Sequence, residues 1–345
     1  MNNTGRIALS KRIHGGPDSE GVPSYDFSSN ANSVGTPDFI LSAIHQSNFQ
    51  CYPDPEYVEL RQLLATRHQV DPERVLIAGS ASEFIFRVSA YVARQSFEGK
   101  MHSPAKVWQP EYCYGDYQNA AIVWNLEGTK NIMEAKLIWL CDPSSPLGRP
   151  LADIQTLITS LGSEQITVLD LAYEPLRLEG HLALNQSQLD SVWQMWSPNK
   201  SLGMTGIRGA YIIAPINSQK IIHELNAMTS SWVLGAHGVA MLSIWADTRS
   251  EVWLNASLDT LRDWKVRQID VCKKMGWLPL HSVGNFFCVN PQKKNVSKFQ
   301  SQLRGHGVKL RDTNSFGLAD HFRMAVMPPV IQDKLLDAVI SIGEK

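Results

Sequence analysis

Short, continuous apolar runs alternate with stretches of helical periodicity along most of this 345-residue sequence. The runs lie at residues 75–78, 106–108, 137–140, 166–169 and 209–214. A strand that is apolar at every position has to be covered on both faces, and the intervening helices can provide that cover. The sequence therefore predicts an α/β fold built around a mostly parallel sheet.

The pattern changes near residue 248. A long helical stretch over 252–272 is followed by short strands and helices, which predicts a second, smaller domain. Residues 1–35 are irregular and rich in Gly, Ser, Asn and Pro, and no internal repeat is present. A chain of this length can hold one large domain with a smaller satellite.

The composition argues against several classes of partner. The formal net charge is −1, so the chain lacks the broad positive field that attracts nucleic acid or an anionic membrane. No apolar run is long enough to span a bilayer, and no apolar signal core follows the first residues, so we expect a cytoplasmic protein. The five cysteines are scattered without a CxxC pair, which favours reduced thiols over disulfides or a metal site.

Lys200 has neighbours that suit a lysine carrying an aldehyde cofactor as a Schiff base. Ser197 precedes it, Gly203 and Gly206 follow it, and Arg208 lies shortly beyond. The hydroxyl and the guanidinium can hold a phosphate, and the glycines let the backbone approach closely. An isolated lysine is far more often a solvated surface charge, so the interpretation depends on the whole set.

Asp170 and Tyr173 supply the partners that this chemistry requires, because both follow the apolar run at 166–169. A carboxylate keeps a pyridine nitrogen protonated, and a tyrosine hydroxyl can hydrogen-bond the ring oxygen. Once displaced from the cofactor, Lys200 becomes an amine that can act as general base. Together these residues predict an enzyme that uses pyridoxal 5'-phosphate (PLP).

A further phosphate-binding element is indicated by the strand-turn-helix pattern over residues 75–86. Ala81 and Ser82 fall at the predicted helix N-terminus, where unpaired N–H groups and the helix dipole favour an anion. An ordinary N-cap serine followed by Glu83 explains the same residues. The sequence does not decide between these two interpretations.

Tyr114 and Arg323 also have two interpretations each. Tyr114 lies in a cluster with Tyr112 and Tyr117, and it is the tyrosine that we expect to stack on the cofactor ring, although such a cluster can equally line a cleft. Arg323 is a charge inside an apolar, strand-like segment and therefore needs a negative partner. A substrate carboxylate and an internal Asp or Glu both satisfy that need.

Motifs along nearly the whole chain resemble one known family. They are His14-Gly15-Gly16, Asp26-Phe27-Ser28-Ser29-Asn30-Ala31-Asn32, Tyr52-Pro53-Asp54, Asp170-Leu171-Ala172-Tyr173, the segment 197–208, Gly284-Asn285-Phe286-Phe287 and Phe322-Arg323. The chain resembles the class I and II aminotransferases of PLP fold type I. It is most similar to the branch that holds histidinol-phosphate aminotransferases and the threonine-phosphate decarboxylases of cobalamin biosynthesis.

This resemblance implies a fold and an assembly. The expected fold has a seven-stranded, mostly parallel sheet in a large PLP-binding domain at 36–247. The smaller α+β domain is expected to form from both termini, residues 1–35 and 248–345. The family pattern also implies a homodimer with shared active sites, in which Tyr52 reaches the cofactor phosphate of the other subunit.

The resemblance further implies how the substrate is held. Arg323 matches the family's carboxylate-binding arginine, and Asn32 and His14 lie in motifs expected to contact the substrate. His14 is a candidate for binding a substrate phosphate, or it simply caps its loop. Ser145 stands where the family usually has an asparagine that donates to the ring oxygen, and Leu171 replaces a glutamate.

Two activities fit these motifs. The first is an aminotransferase acting on a small L-amino acid, with or without a phosphate group. The alternative is a decarboxylase of a phosphorylated amino acid, like the threonine-phosphate decarboxylases. They differ in which α-carbon bond stands perpendicular to the cofactor ring. A catalytically silent binding protein of the same fold is a third reading, and the retention of Lys200 with its partners argues against it.

Overall fold

The structure is a computed structural model, and it describes residues 14–98 and 103–343. The beginning of the predicted N-terminal segment, residues 1–13, and the last two residues of the predicted small domain lie outside these ranges. The strands are β1 (Tyr25–Asp26), β2 (Val75–Ala78), β3 (Lys106–Trp108), β4 (Glu127–Gly128), β5 (Leu137–Cys141), β6 (Ile166–Asp170), β7 (Trp193–Trp196), β8 (Ala210–Ile213), β9 (Leu278–Pro279), β10 (Phe286–Asn290), β11 (Val308–Lys309), β12 (Arg311–Asp312) and β13 (Phe322–Ala325). The α-helices are α1 (Asp38–His45), α2 (Val58–His68), α3 (Ala81–Glu98), α4 (Gly115–Val123), α5 (Ile154–Ser160), α6 (Gln186–Leu189), α7 (Gln219–Ala227), α8 (Ala236–Ala246), α9 (Thr248–Lys274), α10 (Val296–Gly305) and α11 (Pro329–Gly343).

A seven-stranded sheet forms the centre of the fold, with the strand order β2-β8-β7-β6-β5-β3-β4. β8 runs antiparallel to both of its neighbours, and the other strands are parallel to one another. The predicted mostly parallel sheet is therefore confirmed. The five apolar runs in the sequence correspond to β2, β3, β5, β6 and β8.

The central strands are largely apolar because the two faces of the sheet meet different hydrophobic clusters. In β5, Leu137 and Trp139 pack into the cluster that contains α3 and α4, while Ile138 and Leu140 pack against α5 on the other side. Every residue of β5 is buried. This explains why the alternation expected of a half-solvated strand is missing from the sequence.

Parallel pairing brings three chain segments to the same edge of the sheet. Cys141 at the end of β5 is in register with Asp170 at the end of β6, which is in register with Met195 of β7. The segment that carries Ser197 and Lys200 follows directly after β7. Loops that leave the carboxyl ends of neighbouring parallel strands meet in one crevice, and this is where α/β proteins place ligands.

A four-stranded antiparallel sheet, in the order β12-β13-β10-β9, lies in the C-terminal part of the chain. The N-terminal segment joins the same part, because β1 pairs in parallel with β11. The long helix α9 begins at Thr248, where Asp247 caps it by accepting a hydrogen bond from the Arg249 N–H at 2.8 Å. This pairing is what a small domain made from both termini needs, while the boundaries at 36–247, 1–35 and 248–345 stay a prediction. Among the described residues, no helix is both long and apolar enough to cross a membrane.

His68 lies in a buried hydrogen-bonded group beneath the edge of the sheet. Its Nε2 is 2.7 Å from the Tyr211 hydroxyl, which also accepts a hydrogen bond from Trp245 Nε1 at 2.9 Å. Burial, together with the nearby charge of Arg67, lowers the pKa of His68 to about 4. The neutral imidazole is therefore the form that the folded protein favours.

We expect this histidine to make the protein acid-sensitive. Between about pH 6.5 and pH 4 the unfolded chain binds a proton at His68 that the folded chain does not, so stability falls as the pH falls through this window. The loss is about 3 kcal/mol. His68→Gln should flatten the dependence of the free energy of unfolding on pH, measured by urea denaturation at pH 4.5 and 7. His223→Gln, an exposed histidine on α7, is the control and should leave it unchanged.

Candidate active site

A cavity of about 1180 Å³ lies at the carboxyl edge of the large sheet. Residues from α3, α4, the loop after β7, the N-terminal segment and the second sheet line it. The predicted site residues that line this cavity are His14, Ala81, Ser82, Tyr114, Ser145, Asp170, Tyr173, Ser197, Lys200, Arg208 and Arg323. The fold thus collects residues from distant parts of the sequence, and only Tyr52 and Asn32 of the predicted set lie elsewhere.

Lys200 lies in the turn that follows β7. Its Nζ is 3.4 Å from Ser197 Oγ and 5.2 Å from the centre of the Tyr173 ring. The Lys200 carbonyl accepts a hydrogen bond from the N–H of Asn32 at 2.8 Å, which ties the turn to the N-terminal segment. The amine is partly buried, and its positive charge partly offsets the rise that burial causes in the pKa of Asp170.

Asp170 is a buried carboxylate with both oxygens engaged. Its Oδ2 accepts a hydrogen bond from the Tyr117 hydroxyl at 2.6 Å, and its Oδ1 accepts one from the N–H of Ala172 at 3.0 Å. Burial raises the pKa of Asp170, while these hydrogen bonds and the charge of Lys200 act in the opposite direction. The carboxylate is therefore fixed in orientation at the end of β6.

The start of α3 contributes backbone donors to the cavity. Ser80 Oγ accepts a hydrogen bond from the Glu83 N–H at 3.0 Å, and the Glu83 side chain accepts one from the Gly79 N–H at 3.2 Å. The capping serine is therefore Ser80 and not Ser82. Ala81 and Ser82 line the cavity in the first turn, where helix N–H groups have no acceptor within the helix.

Arg208, Ser197 and the start of α3 all line the cavity, and we call this group of donors the cationic corner. The Arg208 side chain is exposed, and within the described part of the chain it makes no ion pair or hydrogen bond. Backbone donors, a hydroxyl and an unpaired guanidinium form a donor set that suits a phosphate dianion. With a lysine amine and a buried carboxylate in the same cavity, the residues present fit PLP.

Tyr114 immediately precedes α4 and lines the cavity. Its hydroxyl is 3.0 Å from Ser82 Oγ, and its ring meets the Tyr117 ring edge-on at 5.9 Å. Burial and the neighbouring Asp116 raise the pKa of Tyr114. The ring is thus held between the cationic corner and Asp170. Its stacking on the cofactor stays a prediction.

Arg323 and Arg311 lie side by side and line the same cavity. They are directly paired across β12 and β13, and both are buried. Arg323 donates to Ser145 Oγ at 3.2 Å and to the Ser28 carbonyl at 3.3 Å. In the described ranges no Asp or Glu forms an ion pair with Arg323, so the internal partner considered from the sequence is not found there.

Arg311 was not predicted from the sequence, although it lines the same cavity. It donates to the Asp312 carbonyl at 2.6 Å and to Ser315 Oγ at 2.7 Å. Burial and the charge of Arg323 lower the pKa of Arg311 to about 10. The Phe316 ring lies 4.7 Å from the Arg311 guanidinium carbon and 5.3 Å from that of Arg323. In the sequence, Arg311 is recognisable only as a second arginine near the C-terminal strand. Whether its side chain faces the cavity depends on the pairing of β12 with β13.

Asn32 does not lie in the cavity, which corrects the expectation that it contacts the substrate. Its side-chain amide donates to Ser257 Oγ at 2.8 Å and to the Ser201 carbonyl at 3.2 Å, so it fastens the N-terminal segment to α9. Asn30 lines the cavity instead, and its amide donates to the Tyr173 hydroxyl at 3.3 Å. The two asparagines lie close together in the sequence, and only the path of the backbone decides which one faces the site.

Tyr52 lies on an exposed surface beside the cavity. Its ring stacks on Trp232 with the ring centres 4.3 Å apart, and both rings line a second cavity of about 550 Å³. Arg208 lines both cavities and so lies between Tyr52 and the main site. The predicted contact of Tyr52 with the phosphate of another subunit stays a prediction.

Arg177 is buried and bridges the buried carboxylate of Asp142 and the partly buried carboxylate of Glu174. It forms ion pairs with Asp142, on the loop that carries Ser145, and with Glu174 at 2.7 Å. Burial raises the pKa of Glu174 to about 7, against the attraction of Arg177. This network joins the Ser145 loop to the segment that follows Tyr173.

Comparison with known proteins identifies the family. The family model "Aminotransferase class I and II" matches residues 116–340, and the chain belongs to this family. Histidinol-phosphate aminotransferase from Campylobacter jejuni is 26% identical over 311 residues, which cover 84% of each chain. Membership confirms the prediction of a PLP-dependent enzyme of the class I and II aminotransferase family.

Solved structures confirm the fold type. Histidinol-phosphate aminotransferase from Sinorhizobium meliloti, in complex with pyridoxal-5'-phosphate, superposes with a TM-score of 0.77 at 18% identity, covering 92% of each chain. L-threonine-O-3-phosphate decarboxylase from Porphyromonas gingivalis superposes with a TM-score of 0.76 at 19% identity, covering 92% of this chain and 99% of that one. Both branches named in the sequence analysis therefore share this fold.

We expect the Arg177 network to contribute strongly to stability. Arg177→Ala leaves Asp142 as a buried charge without its ion-pair partner, which should lower the free energy of unfolding by about 3–5 kcal/mol. Urea denaturation at pH 7.5 measures the change. Lys334→Ala removes an exposed ion pair with Asp337 and should leave stability nearly unchanged. Equal losses of unfolding free energy after the two substitutions would show that the Arg177 network contributes no more to stability than an exposed ion pair.

Proposed function

We propose that this protein is a PLP-dependent aminotransferase that acts on a small L-amino acid bearing a second negative group, with Lys200 as the residue that attaches the cofactor. The observation that carries the proposal is the arrangement of charge in one cavity. Lys200, a buried carboxylate and the cationic corner line this cavity together with two adjacent buried arginines. The first group, which we call the cofactor end, suits the cofactor, and the arginine pair, which we call the substrate end, suits an anionic substrate.

Each residue at the cofactor end has a physical task. The start of α3, Ser197 and Arg208 hold the phosphate, while Asp170 holds a proton at the pyridine nitrogen. Bound PLP supplies an aldehyde that combines with amino groups and a protonated ring that withdraws electrons from the substrate α-carbon. The Lys200 amine, which lies 5.2 Å from the centre of the Tyr173 ring, carries the proton between substrate atoms as general base.

The substrate end is assigned from its two arginines. Arg323 binds the α-carboxylate, because its guanidinium projects into the cavity beside Ser145. Arg311 lies next to it and binds a second anionic group. Two adjacent, buried guanidiniums repel each other, and a doubly anionic ligand relieves that repulsion. His14 also lines the cavity, where its ring lies 6.2 Å from that of Tyr114.

Decarboxylation of a phosphorylated amino acid is a second candidate. The observation that favours it is the position of the His14-Gly15-Gly16 loop, the motif that resembles the threonine-phosphate decarboxylases. Gly15 crosses Ser28 so closely that a Cβ would overlap the Ser28 carbonyl, and this brings His14 to the cavity. Both reactions use the same cofactor-binding residues. The orientation in which the substrate is bound therefore determines which reaction occurs.

We infer that the working form is a cytoplasmic homodimer. Phe49 and Tyr52 are large, exposed side chains that flank the second cavity, and Arg208 lies in its wall. Contact with a second copy of the chain would cover this surface and bring a tyrosine towards the cationic corner. This supports the family-derived expectation of shared active sites.

Lys200→Ala should abolish turnover while the protein still folds. Without the amine, the cofactor has no covalent attachment and the reaction has no general base. Product formation and the visible absorption of the cofactor are measured on the same samples. Lys220→Ala, which removes an exposed lysine on α7, should behave as wild type. Appreciable turnover by Lys200→Ala would falsify the assignment.

A single-turnover experiment separates the two reactions. The protein is mixed with O-phospho-L-threonine, histidinol phosphate and common L-amino acids, and the cofactor spectrum is followed together with carbon dioxide. Conversion to pyridoxamine phosphate without carbon dioxide is the expected result and identifies the amino donor. Carbon dioxide release with the original spectrum restored would instead establish the decarboxylase.

Arg311→Met should act selectively on doubly anionic substrates. We expect kcat/KM for a phosphorylated amino acid to fall about 10- to 100-fold, as for loss of a hydrogen bond to a charged group, and to change little for its unphosphorylated counterpart. Arg323→Met is the matched comparison and should reduce both. An equal loss on both substrates after Arg311→Met would argue against a separate site for the second anion.

A further inference from the structure

We propose that Tyr117 is a positioning residue that holds Asp170 in the orientation and the ionised state needed to bind the protonated pyridine nitrogen. The inference rests on the proposed function, because Asp170 is assigned there to that nitrogen. Tyr117 was considered from the sequence only as part of a tyrosine cluster. Its hydroxyl contacts the carboxylate itself, which distinguishes it from Tyr112 and Tyr114.

The geometry leaves Asp170 little freedom. Tyr117 donates to Oδ2 at 2.6 Å and the Ala172 N–H donates to Oδ1 at 3.0 Å, so rotation of the carboxylate breaks both hydrogen bonds. The Tyr117 ring is itself fixed, since it stacks on Trp139 with centres 4.5 Å apart and an angle of 5°. The orientation of the carboxylate is thus fixed by a tyrosine ring that is itself held against the sheet.

The electrostatics make this hydrogen bond important. In the described part of the chain, the titratable groups that face Asp170 are Tyr117 from α4, Cys141 from β5 and Lys200 from the loop after β7. Burial disfavours the charged carboxylate, and the hydrogen bond from Tyr117 is the largest opposing influence. Burial also raises the pKa of Tyr117 well above its usual value, so the phenol stays protonated and remains a donor.

Removing the Tyr117 hydroxyl should favour the proton on Asp170 over the proton on the pyridine nitrogen of its ligand. Without the Tyr117 donor, the carboxylate holds a proton more readily and competes with the pyridine nitrogen for it. Its hold on the protonated ring then weakens. A merely structural role for Tyr117 predicts a change in stability without a change in the state of the bound cofactor.

Tyr117→Phe tests the inference in the holoenzyme. It keeps the ring and its stacking on Trp139 and removes one oxygen. We expect PLP to bind about tenfold more weakly to the apo protein. At fixed pH, the visible band of the bound cofactor should move towards that of the Asp170→Asn variant. Tyr211→Phe is the matched control, because it removes another buried, hydrogen-bonded hydroxyl that lies outside the cavity.

A double variant distinguishes positioning from a general effect on the site. In the Asp170→Asn background, Tyr117→Phe should cause no further loss of PLP affinity, because the hydrogen bond acts through the carboxylate. A further loss equal to that in the wild type, or a single variant with wild-type spectrum and affinity, would overturn the inference.

The two proposals fail in different ways. A wild-type protein without a cofactor band would contradict the proposed function, whereas a normal wild-type band that is insensitive to Tyr117→Phe would contradict only this inference.

Should Tyr117→Phe not fold, 3-fluorotyrosine at position 117 keeps the shape of the side chain and strengthens its hydroxyl as a hydrogen-bond donor. The band should then shift away from that of Asp170→Asn, and a shift towards it would contradict the inference.

Discussion

The parallel register of β5, β6 and β7 is the constraint on which the site depends. It aligns Cys141 with Asp170 and Asp170 with Met195, so that three loops leave the sheet at one edge. Backbone hydrogen bonds within the sheet, and hydrophobic clusters on both of its faces, fix that register. Asp170 and the start of the loop that carries Lys200 are therefore placed by a part of the molecule that is buried on both faces.

The cavity combines a buried negative charge with buried positive groups. Asp170 is stabilised by donors from Tyr117 and Ala172, while Arg311 and Arg323 lie side by side in the cavity wall. Burying these charges is unfavourable without ligands, since each buried charge loses hydration. Under the proposed function, a cofactor cation at the carboxylate and substrate anions at the arginines would offset this cost.

The sequence predicted those parts of the structure in which the information is local. Strands with both faces buried were recognisable, whereas β7 is interrupted by the polar Gln194 and β4 is two exposed residues long. The reversed direction of β8 has no local signal, because a doubly buried strand reads the same in either direction. The lysine segment was found as a compact motif. Tyr117 and Arg311 were not assigned, since the contacts that distinguish them come from residues distant in the sequence, Asp170 and Arg323. Asn30 was not considered, because only tertiary contacts determine which asparagine of the N-terminal segment faces the cavity.

Phe316 occupies a short turn between the two arginines at the substrate end. The ring contacts both guanidiniums, whose like charges lie side by side. Under the proposed function, the two negative groups of a substrate have to match the spacing of these arginines. A ligand that is one bond too short loses the contact to one buried guanidinium, and the desolvation of that guanidinium is then not compensated by the ligand. The cavity would therefore act as a gauge of length that works mainly by rejecting the wrong molecule.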